Sequence, residues 1–158
     1  MSTPASTEVR LPAPVADLVD GTEPAAKVGQ TISLISIDGE GWPRLALLSI
    51  GEVYSKTGTD IRLGLHAGSG TTAALTGSGR ALLNTVLGGV NYRIRVQVRR
   101  VDTEPGPLAF FVGAVVSVDE DRVPYAELTS GITYQLNNEE AVVERWSRQL
   151  AQLQVLTA

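Results

Sequence analysis

The sequence predicts a mainly β fold, a six-stranded antiparallel barrel with a short helix between the third and fourth strands and a helix near each end. Three observations predict it. Residues 90–98 alternate strictly, with Val90, Tyr92, Ile94, Val96 and Val98 on one face and Asn91, Arg93, Arg95 and Gln97 on the other, which is the period of a half-buried strand. Glycine-bearing turns separate the strand-like runs, and the gaps are too short for the crossover helices of a parallel sheet. Six twisted strands with apolar faces would also leave two exposed edges, and closing the sheet removes them.

The elements follow in order. Residues 13–20, with Pro14 in the first turn and Gly21 after the end, read as a short helix. Residues 32–37 are β-branched and stop at Asp38-Gly39-Glu40-Gly41, a hairpin turn. The return strand is expected from about Pro43 to Tyr54. After a turn at residues 56–60, Ile61, Leu63 and Leu65 alternate with smaller or polar residues as a third strand. A short helix opens after Ser69 and is ended by Gly77 and Gly79. Residues 81–87 and 90–98 form a hairpin about Gly88-Gly89. The sixth strand covers residues 108–118, bounded by the acidic turn Asp119-Glu120-Asp121. Asn138, Glu139 and Glu140 then start a helix whose Val142, Val143, Trp146, Leu150 and Leu153 share one face. The 158 residues suit a single domain, residues 1–158, with residues 1–10 as a mobile tail.

Composition removes several classes of function. The net charge of -4, from 13 Lys plus Arg against 17 Asp plus Glu, provides no general field for nucleic acid. No apolar run approaches the roughly 20 residues of a membrane span. The chain has no cysteine and one histidine, which excludes disulfides, a thiolate nucleophile, cysteine-ligated zinc and any two-histidine metal site. No metal site is expected. The first seven residues lack a basic end followed by an apolar stretch, so no signal peptide and a cytoplasmic location are expected.

The chemistry concentrates at Ala67-Gly68-Ser69-Gly70-Thr71-Thr72, a small, hydroxyl-rich loop opening a helix. Backbone N–H groups at a helix start, with Ser and Thr hydroxyls, offer donors to a phosphate without a buried lysine. The same groups serve equally well in a helix cap, and the residues alone leave both readings open. Arg44, on a strand beside a turn, reads by itself as a solvated or ion-paired surface residue. His66 is the only imidazole, and at a strand end it reads as a hydrogen-bonded structural residue.

The run from Asp38 through Trp42, Pro43 and Arg44 to Ser49, then His66-Ala67-Gly68-Ser69 at the head of a short helix, then residues 91–101, resembles the FMN-binding split barrel of the pyridoxamine 5'-phosphate oxidase-like superfamily. The resemblance covers about residues 30–118. It implies a six-stranded split barrel, a homodimer, and FMN held at the subunit interface. Arg44 matches the family's strand-two arginine on the phosphate. Leu47, Leu48 and Ser49 match the stretch whose backbone lines the isoalloxazine, and Ser69 matches the serine opening the family's Ser-Arg-Lys phosphate motif. His66, Thr71 and Thr72 join the cofactor-binding set through the same loop. Asn91 stands near the family's glutamine that reaches the partner's flavin. The chain departs from the pattern at Gly70 and Thr71, where the motif has Arg and Lys, and at Ser49, where a lysine is common. Each missing charge-assisted contact is worth roughly 1.5–3 kcal/mol.

Arg93, Arg95 and Arg99 form a basic stripe read as a solvated face or as partners of Glu139 and Glu140. A dimer contact or a surface for an anionic ligand is the other reading of the stripe. The resemblance implies a flavin-dependent oxidoreductase in which FMN carries the redox chemistry and no catalytic side chain is required, with its substrate unassigned. The alternative is a non-enzymatic dimeric module that has lost tight FMN binding or takes another ligand, a deazaflavin or a tetrapyrrole. The Gly70-Thr71 pair favours that alternative.

Overall fold

A computed structural model describes residues 8–157. Seven strands form one antiparallel sheet: β1 (Ile32–Ile37), β2 (Pro43–Leu48), β3 (Val53–Tyr54), β4 (Asp60–His66), β5 (Arg80–Leu87), β6 (Val90–Arg100) and β7 (Leu108–Asp121). Their order is β2-β1-β5-β6-β7-β4-β3. Three helices accompany the sheet, α1 (Ala13–Leu18), α2 (Gly70–Ser78) and α3 (Glu139–Gln154).

The seventh strand arises inside the stretch read as one return strand. Ser49 and Glu52 form a capping box: the Glu52 carboxylate accepts from Ser49 N at 3.2 Å and from Ser49 Oγ at 3.0 Å, closing a 3₁₀ turn over Ile50–Glu52. The chain therefore leaves β2 at one edge of the sheet and re-enters as β3 at the opposite edge. Only residues 49–52 separate the two, so the edges stand no more than about 18 Å apart along the chain. This short link curls the sheet into a barrel that is split where β2 and β3 lie side by side in sequence without pairing.

Gly51 in that link is dictated by packing. A Cβ there would overlap the Trp146 ring, 2.6 Å from Cγ and 2.9 Å from Cβ. Trp146, Leu150 and Leu153 are the buried residues of α3, so the helical stripe read from the sequence is what seats α3 across the link. Burial raises the Glu52 carboxyl above the usual carboxylate range, while the Ser49 hydrogen bonds and the Arg145 charge oppose that shift.

The core lies on the concave face. Leu34, Leu83, Ile94, Ile61, Leu63 and Phe111 meet there, each burial contributing about 1.5–3 kcal/mol. The strict alternation of residues 90–98 is borne out, and β6 continues to Arg100. Asp119 and Asp121, read as a turn, instead end β7 as paired strand residues opposite Arg93 and Asn91. Between Arg95 and Val96 the register slips by one residue and extrudes Val116 to solvent. Arg93, Arg95 and Arg99 form no ion pair with Glu139 or Glu140 among the described residues. Of the tail expected over residues 1–10, the first seven lie outside the described residues. Val9 packs on the core, and Arg10 Nη1 donates to Thr57 O at 2.6 Å.

Candidate functional site

The start of α2 is built by hydroxyls. Ser69 is the N-cap, and its Oγ accepts from Thr72 N at 3.1 Å and donates to Thr72 Oγ1 at 3.1 Å. Thr72 Oγ1 in turn donates to His66 O at 2.7 Å. His66 Nδ1 accepts from Gly68 N at 3.3 Å, and the His66 carbonyl also accepts from Ser69 N at 3.1 Å. Ala67 N donates to Pro107 O at 2.9 Å, tying the loop to the strand end. Ser69, Thr72 and His66 thus form one polar knot that fixes where the helix begins. Thr71 and Thr72 are buried, Thr72 almost completely. Two N–H groups of the first turn, those of Gly70 and Thr71, have no partner among the described residues and remain available as donors.

Arg44 stands over this helix end. A Cβ added at Gly70 would overlap its guanidinium, lying 2.5 Å from Cζ and 3.0 Å from Nη1. In this arrangement the Arg44 side chain occupies the space beside position 70, where glycine leaves room for it. The guanidinium has no ion-pair partner among the described residues. A cation at the positive end of a helix dipole is repelled unless an anion joins the two. The corner is thus arranged for a negatively charged group.

Ser36 belongs to the same corner and was missed by sequence reasoning. It lies directly opposite Arg44 in the β1–β2 register, so both side chains leave the same face of the sheet. It is 2% exposed, and its hydroxyl has no hydrogen-bond partner. The available signal was a hydroxyl at a core-facing position, two residues after Leu34 and four after Ile32.

The remaining candidates are placed as follows. Leu47 is exposed on the outer face, and Leu48 is buried on the inner one. Ser49, where the resemblance anticipates a lysine, has both its N–H and its hydroxyl committed to Glu52. Asn91 begins β6, with β1 and β5 between it and β2, or about 14 Å at the usual strand spacing. Its amide oxygen accepts from Asn84 Nδ2, which also donates to Tyr92 O at 2.9 Å. Arg44, Ser69, Thr71, Thr72 and His66 are brought together around one helix end, Leu47–Ser49 extend from it along β2, and Asn91 stands apart within one chain. No group of three or more His, Asp or Glu side chains suited to a metal occurs among the described residues. Among them, too, no helix is long and apolar enough to cross a membrane.

No protein-family model matches the chain. It is 32% identical over 141 residues to the uncharacterized protein YclD of Bacillus subtilis (strain 168), an alignment covering 87% of this chain and 91% of that protein. Its fold is similar to HupZ of Group A Streptococcus, with a TM-score of 0.55 and 12% identity over 79% of this chain and 99% of that one. A putative pyridoxamine 5'-phosphate oxidase from Lactobacillus delbrueckii superposes with a TM-score of 0.52 and 12% identity, covering 73% of this chain and 97% of its own. An FMN-binding protein from Syntrophomonas wolfei subsp. wolfei gives 0.50 and 12% identity over 68% and 88% of the two chains. At such identities these structures establish a shared fold.

Proposed function

The chain belongs to the family of the Bacillus subtilis protein YclD and has the split-barrel fold of the pyridoxamine 5'-phosphate oxidase-like superfamily, and from that premise we propose that it is a flavin-binding oxidoreductase holding the phosphate of FMN between Arg44 and α2. The observation that carries this reading is the Arg44 guanidinium standing over the free N–H end of α2. The residues present fit a phosphate: Arg44 supplies charge, and the N–H groups of Gly70 and Thr71 supply oriented donors. The knot of Ser69, Thr72 and His66 keeps those donors in place. The backbone of Leu47, Leu48 and Ser49 lines the ring. FMN, when bound, supplies the redox chemistry, and the protein's part is orientation and exclusion of water.

Asn91 belongs in this reading to the second subunit's flavin. Ile37, Leu45, Leu47 and Val116 are large, exposed apolar residues of the strands. Ile37 and Leu45 fall on the outer face by strand alternation, together with Leu47. A second copy of the chain covers that face as a homodimer. Sedimentation equilibrium at micromolar concentration is expected to return twice the chain mass, and a monodisperse monomer overturns the dimer.

A second reading is favoured by one specific feature. The corner holds a single guanidinium, with glycine and threonine following Ser69 and with Ser49 committed to Glu52. Such a site binds FMN weakly, and the protein would then be a dimeric module for a different ligand. Titration of the purified protein with FMN, followed by flavin fluorescence, separates the two readings. Saturable binding that Arg44→Ala weakens tenfold or more, about 1.4 kcal/mol, is the expected result. No uptake up to millimolar FMN discards the flavoenzyme reading.

A further inference from the structure

We infer that the ligand of this corner continues past its phosphate to a second aromatic ring stacked on Trp42, so that the preferred form is a flavin dinucleotide rather than FMN. The inference rests on the reading of the Arg44 corner as a flavin-phosphate site and specifies what lies on its far side.

Trp42 precedes β2 by one residue, and the β1–β2 ladder reaches it, because Asp38 N donates to Trp42 O at 2.9 Å. Strand alternation therefore puts Trp42 on the face of Arg44, about 7 Å along the strand. The turn that presents it is well fixed. Asp38 Oδ1 accepts from Glu40 N and Trp42 N, each at 2.9 Å, and Gly41 supplies the positive φ of +85°. Yet the indole is 68% exposed, a large aromatic surface held at a defined place without burial.

Direction along β2 then decides the ligand class. The isoalloxazine lies toward Leu47–Ser49, the phosphate at Arg44, and Trp42 on the opposite side of the phosphate. FMN ends at its phosphate and leaves Trp42 unused. A flavin dinucleotide, in which the FMN phosphate is joined through a phosphoanhydride to a nucleoside monophosphate, carries its second base to the indole, and base stacking on an aromatic side chain changes affinity by about tenfold or more. The independent sign of a ligand here is Ser36, whose buried hydroxyl is without a partner on the same face and directly opposite Arg44. It is the extra donor that a phosphate at this corner would use.

The test exploits the two tryptophans, one exposed and one buried in α3. FMN, FAD and ADP are titrated separately against the intact protein and against Trp42→Ala, following flavin fluorescence, indole fluorescence and, for ADP with the variant, heat of binding. The expected result is FAD binding about tenfold or more tighter than FMN, ADP quenching of the exposed indole, and a Trp42→Ala variant that loses the FAD preference while FMN affinity stays within about twofold. Equal affinities for FMN and FAD, or an FAD preference that survives Trp42→Ala, overturns the inference and leaves the flavin-phosphate site standing. Failure of both flavins to bind overturns the site and the inference together.

Discussion

Gly113→Ala is expected to cost about 3 kcal/mol or more, enough to lower the melting temperature by roughly 6–12 °C in a chain of this size. Gly113 lies in β7 opposite Val98 of β6. A Cβ there would collide with the carbonyl oxygen of Gln97 and lie 2.7 Å from Val98 Cα. The obstructing atoms are backbone, so no rotamer change relieves the clash, and the β6–β7 ladder must move apart. That ladder joins the two longest strands and carries Phe111, Val112 and Val115 into the interior. Gly39→Ala is the matched control, because a Cβ at Gly39 meets nothing within 4 Å. Urea denaturation of the two variants is expected to separate them by several kcal/mol. A Gly113→Ala protein within 1 kcal/mol of the parent would show that the strands have room to spare.

Arg62→Met is expected to cost about 3–5 kcal/mol, the usual result of breaking a buried charge pair. Arg62 is 8% exposed. Its Nη1 donates to Leu153 O at 2.9 Å and to Gln154 O at 3.1 Å, so a strand residue caps the C-terminus of α3, where the dipole favours a cation. Its Nε stands 3.4 Å from Asp60 Oδ2, and its Cζ is 5.6 Å from the Tyr54 ring centroid. Burial alone would raise the Asp60 carboxyl, but hydrogen bonds from the backbones of Thr57 and Lys56 and from the hydroxyls of Thr57 and Ser55 hold it below its ordinary range. Because the folded value is the lower one, Asp60 stabilises the fold above about pH 4, and that contribution is lost as the pH falls. Methionine keeps the stem of Arg62 and removes the charge, leaving Asp60 Oδ2 buried alone and the Gln154 carbonyl without its side-chain cap, while Leu153 O keeps the backbone N–H of Leu156 at 3.4 Å. Trp146 reports the outcome, since loosening of α3 exposes the indole and shifts its emission to the red. A loss under 1 kcal/mol with unchanged emission would mean that α3 is held by its apolar stripe and not by the guanidinium.

Local pattern was legible where one period ran unbroken. The alternation of residues 90–98 and the Asn138-capped stripe of α3 are one-dimensional signals, and the structure follows both. The break inside residues 43–54 was not legible, because Ser49 and Glu52 make their capping box in a stretch whose composition reads as strand. Asp119 and Asp121 read as a turn by charge, yet pairing with β6 keeps them extended. At the site, the helix start at Ser69 was visible from residue type, whereas the fit of Gly70 under Arg44 joins residues on different elements. Arg62 capping α3 spans 91 positions of sequence and leaves no local trace. Apart from the local Ser49–Glu52 box, what the sequence hid was a contact between elements.

The ownership of both sheet edges by one short stretch sets an order of events in folding. β2 and β3 are neighbours in the chain and the most distant strands in the sheet. β2 pairs only with β1 and β3 only with β4, each across a short turn, so both hairpins are local and the two edges are set in place when the longer-range β1–β5 and β4–β7 ladders close. β3, two residues long and paired on one side, is the natural point of first release, and Trp146 of α3 rests on Gly51 just before it. The barrel therefore breathes at its seam, and the wall on which the ligand corner is built lies on one side of that seam.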